Sequence, residues 1–308
     1  MSEMKRTDNW AGGINNLAQI DRLPEGQVRD LVNLDPVGGG GLQLRAAQFR
    51  IHPCNAVHGA VAYSGGFLVA DGPELIQFSF ADNTPRVLAS IAGTGGLCGA
   101  ELNGDTFLCT ANDSIRVRDG RAGPWGLSEI HPRVTVVPGS MPAGVYRVAV
   151  TAIDEFGSAS GAAPMIVTLA QPGAIELLWS VPPGAVECRV YASAANGETL
   201  YRQASGAMSG FTVSSITDSS DRMTTANLVR PPVATQVYAY KGRLVLVVGS
   251  TIWITEPYAP HLCSMTCGFV QYGSPVDMVA VTDGGIYVSA GQKTYFLTGV
   301  GTDGQSQR

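Results

Sequence analysis

The feature that most constrains this chain is a short pattern that occurs four times: a strand-like run, an X-Gly turn, a second run, another turn and a third run. Residues 236–256, QVYAYKGRLVLVVGSTIWITE, show it best: an alternating run to Tyr240, a Lys241-Gly242 turn, an apolar run over 244–248, a Gly249-Ser250 turn, and a last run over 251–255. Each run has strand length, β-branched or aromatic enrichment and a two-residue boundary of the kind that forms tight hairpins. The other copies are VAYSGGFLVADGPELIQF (61–78), GAELNGDTFLCTANDSIRVRD (99–119) and MVAVTDGGIYVSAGQKTYFLTG (278–299). Their turn glycines are Gly65, Gly104, Gly242 and Gly284, preceded by Ser64, Asn103, Lys241 and Asp283. Asn-Gly and Asp-Gly point to type I′ turns, which need positive φ at both central positions. From each glycine to the residue opening the third run (Ile76, Ile115, Ile252, Tyr295) is 11, 11, 10 and 11 residues, the spacing of a true repeat.

The intervals between copies set the domain map. Gly65 to Gly104 spans 39 residues and Gly242 to Gly284 spans 42, close to the roughly 40–45-residue period of propeller blades. Gly104 to Gly242 spans 138, so a surplus on the order of a hundred residues lies between copies two and three. The expected fold is all-β: a β-propeller-like array of four antiparallel meander repeats with an inserted β-sandwich and an extended N-terminal arm. The boundaries are 1–55 for the arm and a closing strand, 56–133 for repeats one and two, 134–228 for the insertion and 229–308 for repeats three and four. Four copies are the minimum for a propeller. Either the strand at 42–51 completes the last blade, or the ring is open, with edges that only a partner subunit covers.

With 45% apolar and 15% charged residues, 38 Gly and 18 Pro, the composition is that of a β-rich, turn-rich globular chain rather than a disordered one. The longest aliphatic run, 244–248, is far too short to span a bilayer, and MSEMKRTDNW has no apolar core of a secretory signal. Synthesis in the cytoplasm and no membrane span are therefore expected. On that basis Cys54, Cys98, Cys109, Cys188, Cys263 and Cys267 are read as reduced thiols packing as small hydrophobes. His261, Cys263 and Cys267 offer three metal ligands but no local fourth. No metal or other cofactor is expected. Net charge is −5, with 17 Arg, three Lys and no basic cluster, which speaks against sequence-specific nucleic-acid binding. Scarce Lys beside plentiful Arg and Tyr fits a surface that is largely interface, and equally the codon bias of a GC-rich genome.

No catalytic constellation emerges. Gly157-Ser-Ala-Ser-Gly161 has Ala159 where a nucleophile elbow carries its serine, and Gly38 to Gly41 lacks the Lys-Ser/Thr of a P-loop. The acid pairs Asp218 with Asp221 and Asp71 with Glu74 sit on turns, and the four histidines are scattered. The chain is read as a non-enzyme.

Residues 10–51 carry Trp10, Ile14, Leu17, Leu23, Val28, Leu31 and Leu34 without a helical or strand period. Such a segment is expected to lie along a neighbouring surface. The order Asn-x-x-Gly-Gly-Ile, then Leu-Pro-x-Gly-x-x-Arg-Asp, Asn-x-Asp and Leu-x-x-Arg (Asn9, Gly12, Gly13, Ile14, Leu23, Pro24, Gly26, Arg29, Asp30, Asn33, Asp35, Leu42, Arg45) resembles the N-termini of tail and connector-associated virion proteins of tailed bacteriophages. Several of these carry propeller-like domains. The usual second basic residue and Gly-Tyr-like end of the pattern are replaced by Ala46-Ala47-Gln48-Phe49. Read without the resemblance, 23–26 is a turn and 27–34 a short helix.

Within the insertion, GVYRVAVTAIDEFGSASGAA (144–163) resembles the last hairpin of a fibronectin type III domain, and AIELLWSVPPGAVECRVYASAANGETLYRQA (174–204) its earlier strands, with Trp179 as core aromatic. The order is reversed, so a permuted sandwich is expected.

The virion-protein resemblance implies a structural ring in the tail or head-tail junction. Its partners would be copies of itself, neighbouring tail or connector proteins, and tail fibres. The docking arm would use Asn9, Trp10, Ile14, Leu23, Pro24, Arg29, Asp30 and Arg45. The alternative is a carbohydrate- or receptor-binding module, for which Trp125, Tyr258 and Tyr272 are the candidate loop aromatics.

Overall fold

A computed structural model describes residues 9–45, 52–81, 84–92, 95–298 and 306–307. The protein is all-β: among the described residues the one helical element is a single 3-10 turn, Ile20–Arg22. The chain forms two compact units, Met1–Pro53 and Cys54–Arg308.

In the first unit, Gly13–Ile14 pairs in parallel with Gln27–Val28, and Leu34–Val37 forms a hairpin with Gly41–Leu44. The turn expected at 23–26 is present: the Gln27 amide donates to the Pro24 carbonyl (3.2 Å) and Gly26 takes φ 82, as the third residue of a type II turn requires. The helix expected at 27–34 does not follow. Gly26 launches the backbone into extended structure, and the Val28 carbonyl accepts from Asn15 (2.8 Å) rather than from a helical partner. Of the strand at 42–51, which on one of the two alternatives completes the last blade, the described part belongs to Gly41–Leu44 and has Leu34–Val37 as its partner. Residues 46–51 lie outside the described residues.

The four sequence repeats become four antiparallel sheets, and each has more strands than the three the pattern shows. The first contains Val57–Tyr63, Gly66–Asp71, Glu74–Ser79 and Pro85–Ser90. The second contains Cys98–Leu102, Asp105–Cys109, Ser114–Arg118 and Arg121–Pro124. In the third, Gln236–Tyr240, Arg243–Val248 and Thr251–Glu256 are followed by Ala259–Ser264 and Phe269–Gln271, both paired to Thr251–Glu256. The fourth contains Val276–Thr282, Gly285–Ala290, Lys293–Thr298 and Ser306–Gln307. The residues that follow the three-run pattern in sheets two and three thus supply further strands, Arg121–Pro124 in one and Ala259–Ser264 with Phe269–Gln271 in the other.

The first hairpin of every sheet has the same two-residue connection, but by two routes. Asn103-Gly104 (φ 54 and 82) and Lys241-Gly242 (φ 46 and 75) have the positive φ of type I′ turns. Gly65 and Gly284 do not. There the demand for glycine moves one residue on: a Cβ at Gly66 would collide with the Phe78 carbonyl, and one at Gly285 would lie 2.5 Å from that of Leu297.

Sheet faces follow from this shared register, because side chains alternate along a strand. In the second strand of each sheet, the third and fifth residues (Leu68 and Ala70, Phe107 and Cys109, Val245 and Val247) join the apolar cluster shared with the next sheet. The second and fourth residues face the previous sheet: Leu108 in sheet two, Leu244 and Leu246 in sheet three, Ile286 and Val288 in sheet four. Three apolar clusters therefore join four sheets in series. Among the described residues no such cluster joins the fourth to the first.

Between sheets two and three lie two further antiparallel sheets. One has the order Arg133–Met141, Gly173–Leu178, Gly210–Val213; the other Met165–Leu169, Gly144–Asp154, Ala185–Ala192, Tyr201–Gly206. Ile175, Leu177 and Val213 of the first share a single core with Tyr146, Val148, Val150 and Val190 of the second. Trp179 is buried in that core.

Candidate functional site

Two regions gather polar or exposed side chains in a way that the core does not explain. The first joins the inserted sheets to the meanders. Asp105 opens the second strand of sheet two, and in the antiparallel register Arg116 lies opposite Phe107, so Asp105, Phe107, Arg116 and Arg118 share one face. The Asp105 carboxylate accepts from Arg116 Nε (2.8 Å), Arg118 Nη2 (2.7 Å) and Arg118 Nε. The Asp105 and Arg116 side chains are each 5% exposed. Arg116 Nη1 donates to Ser158 Oγ (2.7 Å), and its guanidinium lies 4.9 Å from the Phe156 ring centroid and 5.7 Å from that of Phe107.

The turn that carries Phe156 and Ser158 is held from within by Asp154, whose Oδ1 accepts from the amides of Phe156 (2.9 Å) and Ser158 (2.7 Å). His261 Nε2 donates to the Ala159 carbonyl (3.1 Å) from sheet three. Burial pushes the His261 pKa below its ordinary value; the Arg116 charge adds to this and Asp154 opposes it. The hydrogen bond to Asp105 raises the Arg118 pKa. These residues line a cleft of about 370 Å³.

Chemically the cleft is a joint. Both oxygens of its central carboxylate accept from guanidinium groups, and Ser160, the second serine of the Gly157–Gly161 motif, accepts from the Ala152 amide (3.0 Å) and is buried. The same seam is closed by apolar and backbone contacts. Trp125, fully buried, donates to the Pro260 carbonyl (2.9 Å), Leu127 and Ile130 enter the core of the inserted sheets, and a Cβ on Gly161 would collide with the Leu228 carbonyl. His261, Trp125 and the Gly157–Gly161 motif were singled out from the sequence for other roles, but Asp105, Arg116, Arg118 and Phe156 were not. The signal was Ser-Ile-Arg-Val-Arg, two arginines at i and i+2 on one face of a strand; their partners were not visible locally.

The second region is the N-terminal unit, where the matching residues lock one another. Trp10 N–H donates to the Gly40 carbonyl (2.7 Å), Gly12 N–H to that of Gly26 (3.0 Å), and the Asn9 side-chain oxygen accepts from Ala11 (2.9 Å). A Cβ on Gly40 would collide with the Asn9 amide, and one on Gly12 would lie 2.5 Å from Gln27 Cγ. Leu23 is half-buried, while Pro24, Arg29 and Asp30 are exposed. The Asp30 carboxylate accepts from the Leu31 amide (2.8 Å), and Arg45 Nε pairs with Asp35 (2.7 Å) at the surface. Leu17 and Val32 are 95% and 75% exposed, and Ile14, Val37 and Leu44 are exposed too, so this unit holds its backbone in place while leaving these five aliphatic side chains outside.

Of the three aromatics considered for sugar binding, Trp125 and Tyr272 are buried and only Tyr258 is exposed. Gly65, Gly104, Gly242 and Gly284 all sit in the expected turns, and Gly104 directly precedes Asp105 of the joint. Cys109, Cys188 and Cys263 are buried thiols, and burial pushes the Cys263 pKa up to about 12. Among the described residues no group of three or more His, Cys, Asp or Glu is placed to hold a metal, and no helix is long and apolar enough to cross a membrane.

No family model matches the chain, and no curated protein matches it. Among solved structures, PorZ, an essential bacterial surface component of the type-IX secretion system of Porphyromonas gingivalis, is 10% identical over 83% of this chain and 33% of its own, with a TM-score of 0.22. The extracellular domain of a one-component system from B. thetaiotaomicron is 9% identical over 87% of this chain and 55% of its own, with a TM-score of 0.19. The chain thus spans about a third and about half of these two structures. Likeness this loose leaves the function to be argued from the chain's own residues.

Proposed function

We propose that this chain is a non-enzymatic structural component of a tailed-phage virion, forming a ring in the tail or at the head-tail junction. The observation that carries this reading is the N-terminal unit. Its pattern-matching residues Asn9, Gly12, Gly26 and their neighbour Gly40 interlock, while Ile14, Leu17, Val32, Val37 and Leu44 stay exposed. A segment that keeps its shape while presenting aliphatic side chains suits docking on an adjacent subunit or a neighbouring ring. We read the remainder as an open, propeller-like array with an inserted sandwich of fibronectin type III kind.

The strand pairing of the insertion supports that last assignment. Gly144–Asp154 and Met165–Leu169 take the places of the family's last hairpin, and the strands from Gly173 onward those of its earlier strands, as in a circular permutation. The buried Tyr146 hydroxyl donates to the Pro142 carbonyl (2.8 Å) just upstream, the hydrogen bond of a tyrosine corner. In the virion the insertion contacts tail fibres.

Mass spectrometry of purified particles and native mass spectrometry of the isolated protein test the reading together. Presence in the tail and a multi-subunit species are expected. A chain absent from particles and monomeric at every concentration ends it. Ile14→Asp with Leu17→Asp, both on exposed positions, is expected to leave the protein folded and block its incorporation.

A further inference from the structure

Two cysteines meet in the first hairpin of sheet two. Cys98 lies directly opposite Cys109 in the antiparallel register, so both side chains leave the same face of the sheet. The Asn103-Gly104 turn closes on Leu102 and Asp105, and hydrogen-bonded pairs recur at every second position from there. Cys98 and Cys109 are therefore a hydrogen-bonded pair, whose Cα atoms lie about 5.5 Å apart, inside the range of about 4.4–6.8 Å that a disulfide spans. Their sulfurs converge on one residue of the segment that enters sheet three. Cys98 Sγ donates to the Ala234 carbonyl (3.5 Å), and the Ala234 amide donates to Cys109 Sγ (3.4 Å). A hydrogen bond also joins the two thiols. The other strand cysteines have no such neighbour: Cys188 faces Ala152 and Gly206, and Cys263 faces Val229 and Thr255.

The two sulfurs have different surroundings. Cys109 is fully buried, packed with Phe107, Ala234 and Leu246. Cys98 is half-buried and lines a cavity of about 330 Å³ together with Leu97, Thr110, Ala111, Val233 and Ala234. The hydrogen bond from Cys109 holds the Cys98 pKa below its ordinary value, and that same bond, with burial, pushes the Cys109 pKa up. A reachable, more acidic sulfur beside a buried one is the arrangement of an attacking and a resolving thiol. We propose that Cys98 and Cys109 form a thiol-disulfide exchange site for low-molecular-weight disulfides of the glutathione class, with Cys98 attacking and Cys109 resolving. The Cys98 thiolate bonds to one sulfur of the small disulfide, whose own S–S bond breaks, and the first small thiolate leaves. Cys109 then gives up its proton, attacks Cys98 Sγ and expels the second small thiolate. The protein thiols are oxidised by two electrons, the small disulfide is reduced, and the two protons end on the two small thiols released. The disulfide has no S–H for the Ala234 carbonyl, while Cys109 Sγ remains an acceptor for the Ala234 amide, so oxidation is felt where the chain enters sheet three. The site is independent of the ring reading above.

Incubation of the folded protein with glutathione disulfide, followed by alkylation of free thiols and non-reducing peptide mass spectrometry, tests it. In the wild type the expected product is a peptide pair joined through Cys98 and Cys109, lighter by two hydrogens than the dithiol and returned to it by excess reduced glutathione. Cys109→Ala is expected to stop halfway, with one glutathionyl group held on Cys98. In Cys98→Ala, Cys109 is expected to stay a free thiol, because it is fully buried. If either variant fails to fold by circular dichroism, the wild-type peptide map decides alone. A wild-type protein in which the two cysteines are recovered unlinked, or in which Cys98 is joined to a different cysteine, overturns the site. Cys98 left unmodified in folded Cys109→Ala, or a glutathionyl group on Cys109 in folded Cys98→Ala, overturns the assignment of Cys98 as the attacking thiol.

Discussion

Removing the carboxylate of Asp105 tests whether the polar joint is structural. In Asp105→Ala the Arg116 guanidinium, 5% exposed, stays buried and loses its ion-pair partner. Breaking a buried ion pair from one side costs about 3–5 kcal/mol. The lower end applies here, because Arg116 keeps Ser158 Oγ and two aromatic rings, contacts of a kind worth about 0.5–2 kcal/mol. Arg118 adds little, since its side chain is 39% exposed and is re-solvated when the carboxylate is lost. We expect a loss of about 3 kcal/mol, read by urea unfolding followed by tryptophan fluorescence as a midpoint about 1 M lower for an m-value near about 3 kcal/mol/M. Asp105→Ala combined with Arg116→Met removes both charges and should recover most of the loss. A single variant that loses less than about 1 kcal/mol, or a double variant no better than the single, would refute the argument that the buried charge needs its partner.

Tyr146→Phe removes the hydroxyl that donates to the Pro142 carbonyl while keeping the ring in its core; thermal or urea unfolding should show a loss of about 0.5–1.5 kcal/mol. Gly161→Ala forces a Cβ into the Leu228 carbonyl at the base of the insertion and should lower stability and increase proteolysis around 158–162, whereas Gly157→Ala, in open space though at φ 79, should cost only its backbone strain of about 1–3 kcal/mol without opening that seam. His261 has a folded-state pKa below its ordinary 6.5, so the unfolded chain binds more protons. Its contribution is complete above pH 6.5 and is lost as pH falls through the folded value. His261→Gln should flatten the acid side of the stability profile measured by denaturant melts.

How much was legible varied with how local the cause was. The repeat at 61–78, 99–119, 236–256 and 278–299 was readable because alternation and turn glycines act over a few residues, and the turns at Asn103-Gly104 and Lys241-Gly242 have the expected φ. Ser64-Gly65 and Asp283-Gly284 do not, because the next glycine answers to a backbone carbonyl in the third strand. The outer strands were missed where their sequences lack alternation, as in Arg-Ala-Gly-Pro at Arg121–Pro124, which is a strand only because Ser114–Arg118 lies beside it. The joint was invisible for the same reason. Arg116 finds Ser158 across 42 residues and Trp125 finds Pro260 across 135, so a tryptophan read as a loop aromatic is buried.

By itself the sequence determined the all-β class and the three-strand pattern that recurs four times, since periodicity and turn chemistry are local properties of the chain. Only the tertiary structure decided which faces meet. The same alternation puts apolar residues on both faces of every sheet, and a strand cannot specify whether a neighbour will cover them. Among the described residues, sheets two and three have an apolar cluster shared with a neighbouring sheet on both faces, sheets one and four on one. That difference arises from position in the array, and it is why Phe67, second in its strand, is exposed while Leu244, at the same place in sheet three, is buried.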